Sequence, residues 1–384
     1  MVKFWENLSS KIFAVKGLAT IGIVDIISNA ISGIFWIVFA GYLGAENLGE
    51  ISYLLAIAGI GSAVALVGSE NSLMVYIPKK VQLQGTVFLL AIIMSCITAT
   101  VLFFIFSEPS VSFLTIGYVL FGLVISEILG KRLYTLYSKY MIIHKILLVC
   151  SVVGFYFAFG IQGILFGMAL AFTPFLIEVI KVIRNSKIDF SLLKIKFEFM
   201  RNMYFLSLSG IVIRTSDKLI IAYIFGYEIL GNYHIGLQVV EVLQLLTTIL
   251  YKYTLPHDAS GTENIKLKKI SFYLSFVISI TAFFLSPILL PIMFPKFSHV
   301  IEIVQISSFA LVPNALTAIY TSKFLGNEKS NTVVISLIIY FVIQITSIIL
   351  LGNIFGVNGI ASSFVLAAVG QATFLVITDR TQRK

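Results

Sequence analysis

Charge is what this sequence has least of. Charged residues fill 12% of its 384 positions, against roughly 25% in an ordinary soluble domain. So few cannot cover a water-facing globular surface. Histidine (4) and cysteine (2) are scarcer still, and Cys96 and Cys150 both fall inside apolar runs. Neither a disulfide framework nor a Cys/His metal site is supported. No H-E-x-x-H, G-x-S-x-G or Walker sequence occurs, which argues against a zinc hydrolase, a serine hydrolase and an ATP-driven pump. Long polar segments are missing too. The longest polar connection runs from Asn185 to Arg201, leaving no room for a folded catalytic domain outside the apolar runs. No enzyme activity and no cofactor are expected.

What is present is apolar, at 58% of positions. Twelve runs are each long enough to cross a bilayer with some tilt: 17–40, 49–76, 83–106, 111–130, 141–159, 161–182, 204–226, 229–255, 270–294, 301–322, 331–352 and 357–378. The opening residues are basic, but the first run holds Asp25 and Asn29 and lacks a convincing cleavage site, so it reads as an uncleaved first span. Lysine and arginine set the orientation. Lys3, Lys11, Lys16, Lys79, Lys80, Lys131, Arg132, the series from Lys181 to Arg201, Lys323, Lys329 and the tail from Arg380 share one side, and only Lys296 lies opposite. Both termini are therefore expected in the cytoplasm, in a cell-membrane protein. The net charge of +9 then belongs to one membrane face and suits anionic lipid headgroups. Nucleic acid is excluded as a partner because no basic domain stands clear of the bilayer.

The two halves read as copies. FAGYLGAENLG at 39–49 matches IAYIFGYEILG at 221–231, sharing Ala40 with Ala222, Gly44 with Gly226, Glu46 with Glu228, Leu48 with Leu230 and Gly49 with Gly231. FGIQGILFGMALA at 159–171 matches FGVNGIASSFVLA at 355–367, and Ser138–Lys139 matches Ser322–Lys323 at nearly the same offset. A duplicated unit of six spans follows. The fold expected is an all-α integral membrane protein of about twelve transmembrane helices in two six-helix lobes, residues 1–190 and 191–384. An even number of spans per unit sets both copies the same way up, related by a pseudo-twofold axis along the membrane normal.

The span carrying RTSDKLIIAYIFG, followed by YEILGNY and a polar-striped span, resembles the seventh and eighth spans of the polysaccharide-transporter branch of the multidrug/oligosaccharidyl-lipid/polysaccharide exporter superfamily. FAGYLGAENLG after the first span and FGVNGIASS opening the last resemble the same family. The resemblance covers the whole chain through loose glycine-and-apolar patterns. It implies a two-lobed transporter whose central cavity opens alternately to either side and moves lipid-linked sugars across the cytoplasmic membrane. The first span lacks the arginine that some lipid-flipping relatives carry there.

The candidate site follows from polar residues inside apolar spans. Arg214 lies about 15 Å into a run that starts near Tyr204, close to the middle of a hydrocarbon core about 30 Å thick. A charge there costs a few kcal/mol and usually faces a protein or water-lined interior. Arg214 and Lys218 share a helix face, and Asp217 is spaced to reach Arg214. Two readings stand: an Asp217–Arg214 ion pair that holds spans together, or a positive surplus that binds a phosphate or pyrophosphate, a task suited to the planar guanidinium. In the eighth span His234, Gln238, Glu241 and Thr248 fall on one face. Glu241 suits a counter-charge or a coupling group for a proton or sodium ion, while an interfacial, hydrogen-bonded role fits His234 better than ligand contact. In the first span Asp25, Ser28, Asn29 and Ser32 form a polar face with Trp36 one turn on. At the repeat offset Ser32 stands where Arg214 does, Trp36 where Lys218 does, and Asp25 where Ser207 does. Asp25 therefore either pairs with Arg214 or Lys218 across the lobes or touches ligand. Glu70, Glu127 and Glu178, near span ends, are explained by snorkelling or by pairing with Lys131 and Lys181.

The function expected is a flippase for a polyprenyl-linked oligosaccharide, with Arg214, Lys218, Asp25, Asn29 and Gln238 binding substrate and Asp217 and Glu241 as counter-charge or coupling groups. A cation-coupled multidrug antiporter, in which Asp25 and Glu241 bind the substrate, is the alternative. An integral-membrane glycosyltransferase or polymerase would need extended acidic or histidine-bearing outer loops, and these loops are nearly bare.

Overall fold

A computed structural model describes residues 2–259, 265–327 and 329–382, with side chains described for 22–191, 196–205, 207–245, 266, 268–325, 327, 329 and 331–382. Among the described residues there is no strand. In chain order the helices are α1 (Val2–Leu43), α2 (Ala45–Leu66), α3 (Ser69–Tyr76), α4 (Gln84–Phe106), α5 (Pro109–Gly130), α6 (Tyr134–Phe159), α7 (Gly163–Leu170), α8 (Thr173–Asn185), α9 (Phe190–Phe225), α10 (Tyr227–Ala259), α11 (Ile265–Met293), α12 (Val300–Ser307), α13 (Leu311–Gly326), α14 (Ser330–Phe355) and α15 (Val357–Gln382). Hydrocarbon leaves backbone groups no partner but each other, and helices satisfy them within one segment.

Nine described segments are long and apolar enough to cross a membrane. One of them, Tyr134–Asn185, is 52 residues long and folds as α6, α7 and α8, enough for two passes. The remaining long helices are α9, at 36 residues, and α10, at 33. Those two carry the mid-span ionisable residues and bring the passes to the twelve expected. The chain is an all-α integral membrane protein.

Three spans that read as continuous are broken. The second divides at Val67 (φ 49°) and Gly68 (φ 72°). A β-branched residue seldom takes a left-handed conformation. Local hydroxyls repair the break, Ser69 Oγ donating to the Leu66 carbonyl and Ser72 Oγ to that of Gly68 at 2.8 Å. The sixth span divides at Ala171 and Phe172, where His144 Nδ1 lies 3.1 Å from the Ala171 carbonyl and Pro174 opens α8. The tenth changes to a 3-10 turn at Ser308–Ala310.

The chain forms two compact units, residues 1–38 with 54–215 and residues 39–53 with 216–384. Their borders run through α1, α2 and α9. In the first unit α5 packs against α3, α4, α7 and α8, and α6 against α7. Phe88, Leu114, Leu123, Ile164 and Phe175 are fully buried there. In the second, α15 packs along α14 and against α12 and α13, and α10 lies against α12 and α13. Its centre holds Ile221, Leu230, Tyr233, Ile303, Ile348 and Ile360.

The duplicated glycines keep their conformation. Gly44 (φ 80°) links α1 to α2 as Gly226 (φ 88°) links α9 to α10, and Gly160 (φ 67°) and Gly356 (φ 60°) end α6 and α14 alike. A helix that stops on a left-handed residue favours glycine, which has no Cβ to strain. The Ser138–Lys139 match fails this comparison. It opens α6, whereas Ser322–Lys323 closes α13, so the two dipeptides occupy different steps of the repeat.

Candidate functional site

In the second unit α9 delivers Asp217 to a buried position, 6% exposed, facing α10. One carboxylate oxygen accepts the Lys218 backbone N–H at 2.8 Å, and the other accepts the Tyr233 hydroxyl at 2.9 Å. Gln344 of α14 donates to the same Tyr233 oxygen at 3.5 Å. A carboxylate in an apolar core stays there only when hydrogen-bonded, each such bond to a charged group contributing about 1.5–3 kcal/mol. The phenol supplies the side-chain hydrogen bond to Asp217.

Lys218 is half-buried, and its charge acts on Asp217, His234 and Glu241. Tyr340 of α14 in turn feels Asp217 and Glu241. Five ionisable groups from α9, α10 and α14 thus share one electrostatic neighbourhood. Glu241 is exposed. His234 and Gln238 meet one turn apart, Nε2 to Nε2 at 3.1 Å, and the buried Gln238 Oε1 has no hydrogen-bond partner. The side chain of Thr248 lies outside the described residues.

Arg214 belongs to the first unit and is exposed. Its Nε donates to the Gly210 carbonyl of its own helix at 3.1 Å. The Asp217–Arg214 ion pair suggested by their spacing does not form. Asp217 turns into the core toward Tyr233, and Arg214 turns back along α9. No carboxylate lies within ion-pair distance of Arg214 or Lys218 among the described residues.

The polar face of the first span is divided. Asp25 accepts the Tyr137 hydroxyl of α6 at 2.5 Å. This phenol, and not Arg214, is its partner within the first unit. Ser28 is 1% exposed, the Oγ atoms of Ser28 and Ser32 are buried without partners, and Asn29 is exposed. Glu127 pairs with Lys131 at 2.5 Å and Glu178 with Lys181 at 2.7 Å, as their spacing suggests. Glu178 also accepts the Tyr140 hydroxyl at 2.6 Å. Glu70 instead packs onto α5, where a Cβ on Gly122 would meet its Oε1 at 2.1 Å. Among the described residues no group of three or more His, Cys, Asp or Glu is placed to hold a metal ion.

Tyr137, Tyr233, Tyr340 and Gln344 were not singled out by the sequence. Tyrosine is common here, 17 in all, and nothing local marks the ones whose hydroxyls meet a carboxylate.

No family model matches the sequence, nor does any curated protein sequence. Solved structures do. The lipid II flippase MurJ in an inward closed conformation aligns with a TM-score of 0.73 at 13% identity, covering 94% of this chain and 87% of that one. An inward-facing multidrug resistance MATE family transporter of the MOP superfamily aligns at 0.70 and 14% identity, over 95% of this chain and 98% of that one. A MATE transporter in complex with MaD3S aligns at 0.58 and 14% identity, over 94% and 93%. At such identity the likeness is one of fold. The chain shares the fold of these three proteins.

Proposed function

We propose that the chain is a membrane transporter that carries the head group of a polyprenyl-linked oligosaccharide across the cytoplasmic membrane by alternating access, leaving the lipid tail in the bilayer. The observation that carries this reading is that neither mid-span cation on α9, Arg214 or Lys218, has a carboxylate within ion-pair distance among the described residues. Asp217 lies between them in sequence, but its carboxylate is engaged by Tyr233 and by the Lys218 backbone. Arg214 and Lys218 therefore keep positive charge for an anionic ligand, and a pyrophosphate linkage is the anion such a substrate offers. Asp25, Asn29 and Gln238 supply polar contacts to sugar, the orphaned Gln238 Oε1 being a free acceptor for a hydroxyl. Asp217 and Glu241 act as counter-charge or coupling groups for a proton or sodium ion. The fold likeness to a lipid II flippase supports this substrate class. The test is reconstitution in proteoliposomes with a polyprenyl-pyrophosphoryl oligosaccharide. Translocation falls in Arg214→Ala and Lys218→Ala, and unchanged translocation in both would refute the assignment.

A second reading is cation-coupled multidrug antiport, favoured by the exposed Glu241 and by the MATE neighbours. Binding of cationic drugs in competition with protons or sodium would select it.

A further inference from the structure

We propose that Tyr76, Lys79 and Lys196 form a binding site for a phosphate group on the first unit, filled in the membrane by the headgroup of an anionic phospholipid. The proposal stands apart from the transport reading and uses none of its residues.

The site is built where α3 ends. Tyr76 is its last residue, 7% exposed, and its ring meets Phe199 of α9 edge to face with centroids 5.3 Å apart. A buried ring offers its electron-rich face in a setting where water does not screen it. Two ammonium groups converge on it, Lys79 from the turn after α3 and Lys196 from α9. Lys79 Nζ is 5.9 Å and Lys196 Nζ 5.4 Å from the ring centroid. The two cations are thus no more than about 11 Å apart, comparable with the Debye length of about 10 Å at 0.1 M salt. Two like charges at that range repel one another, and the ring attracts each only weakly.

Among the described residues no acid resolves that repulsion. Neither lysine is in an ion pair among the described residues, and Glu198, the nearest acid to Lys196 in sequence, is turned to Arg201 at 3.9 Å. Lys80 and Lys187, both exposed, add to the same sign nearby in sequence. An anion with oxygens on several sides meets this requirement. A phosphodiester does so while its acyl chains lie along the adjoining apolar helices. The charge asymmetry of the sequence sets these lysines on the cytoplasmic side, where anionic headgroups are available.

A free or substrate-borne pyrophosphate has the same chemistry, so the experiment separates the sources. The full-length protein, delipidated in a neutral detergent, is titrated with short-chain phosphatidylglycerol, with phosphatidylcholine and with inorganic pyrophosphate, and bound ligand is counted by native mass spectrometry. The wild-type protein binds phosphatidylglycerol in preference to phosphatidylcholine. Lys79→Gln combined with Lys196→Gln weakens phosphatidylglycerol by about tenfold to thirtyfold, the size expected for two lysines near a headgroup. Lys139→Gln combined with Lys269→Gln, both exposed, removes the same charge elsewhere and leaves affinity within about twofold. Equal binding of the two lipids by the wild type, an unchanged affinity in the first double variant, or an equal loss in the second overturns the site. Loss of pyrophosphate binding alone, with phosphatidylglycerol unaffected, overturns the lipid assignment.

Discussion

Gly49 and Gly231 bring the first turns of α2 and α10 into reciprocal backbone contact. A Cβ on Gly49 would stand 1.8 Å from the Tyr227 carbonyl oxygen, and one on Gly231 would stand 1.8 Å from the Ala45 carbonyl oxygen. Both residues belong to the second unit, and the match of Ala45 with Tyr227 and of Gly49 with Gly231 is that of the repeat itself. The obstacle is backbone, which cannot rotate aside as a side chain can. Gly49→Ala and Gly231→Ala are each expected to destabilise by about 1–3 kcal/mol, as overpacking does. Because they open the same contact, the double variant loses less than the sum. Gly59→Ala is the control: nothing lies within 4 Å of its Cβ, and alanine gains about 0.5–1 kcal/mol in a helix. Melting temperatures of the purified proteins in detergent check all four.

The support of Asp217 by Tyr233 gives a second prediction. Tyr233→Phe keeps the ring in its fully buried place and removes only the hydroxyl, leaving a buried carboxylate one bond short. A loss of about 1–3 kcal/mol is expected. Asp217→Asn in the Tyr233→Phe background costs less than in the wild type, since the partner is already gone. A double-mutant cycle on melting or denaturant midpoints reads the coupling. Additive effects would show that the two groups do not interact.

These two predictions differ in how far the sequence foretold them. The repeat pairs Gly49 with Gly231 in the sequence, but that the two helix starts touch was not legible, because a match along the chain does not say which elements meet. The same matching found Gly44 with Gly226 and Gly160 with Gly356, each pair sharing one backbone conformation. It failed for Ser138–Lys139, a common pair of residue types with no conformational demand behind it. Hydropathy located the spans, because the bilayer fixes their length. It missed the breaks at Val67, Ala171 and Ser308, because a broken span is as apolar as a whole one. Charge in mid-span singled out Arg214, Asp217 and Lys218. It could not say where each side chain turns, because Asp217 finds its phenol 16 positions away across the Gly226 link. Asp25 likewise finds Tyr137 112 positions away.

The break between α7 and α8 rests on a histidine. His144 is 4% exposed, 3.1 Å from the Ala171 carbonyl, and its ring lies 4.5 Å from that of Phe172. The carbonyl at a helix end inside a membrane has no water to turn to. His144→Leu keeps apolar volume, strands that carbonyl and is expected to cost about 1–3 kcal/mol. His144→Asn, which keeps a donor, recovers part of the loss. Melting temperatures in detergent decide between them, and equal stability of the leucine variant would show that the contact contributes nothing.

Arg214 and Lys218 separate function from stability. Arg214 is exposed and, among the described residues, hydrogen-bonds only the Gly210 carbonyl of its own helix, so Arg214→Ala removes no described contact between helices. Its stability, read from the melting temperature, is expected to match the wild type within about 0.5 kcal/mol. Lys218 is half-buried and acts on Asp217, His234 and Glu241, so Lys218→Ala removes its charge from beside Asp217 and is expected to lower stability by about 1 kcal/mol or more. Translocation of a pyrophosphate-linked lipid falls in both, by about tenfold or more for each if each contributes one charge-assisted bond to the anion. Arg214→Lys restores the charge but not the planar pair of donors, and recovers only part of the rate. A melt that drops with Arg214→Ala while transport follows it in proportion would make Arg214 a structural residue and remove it from the site.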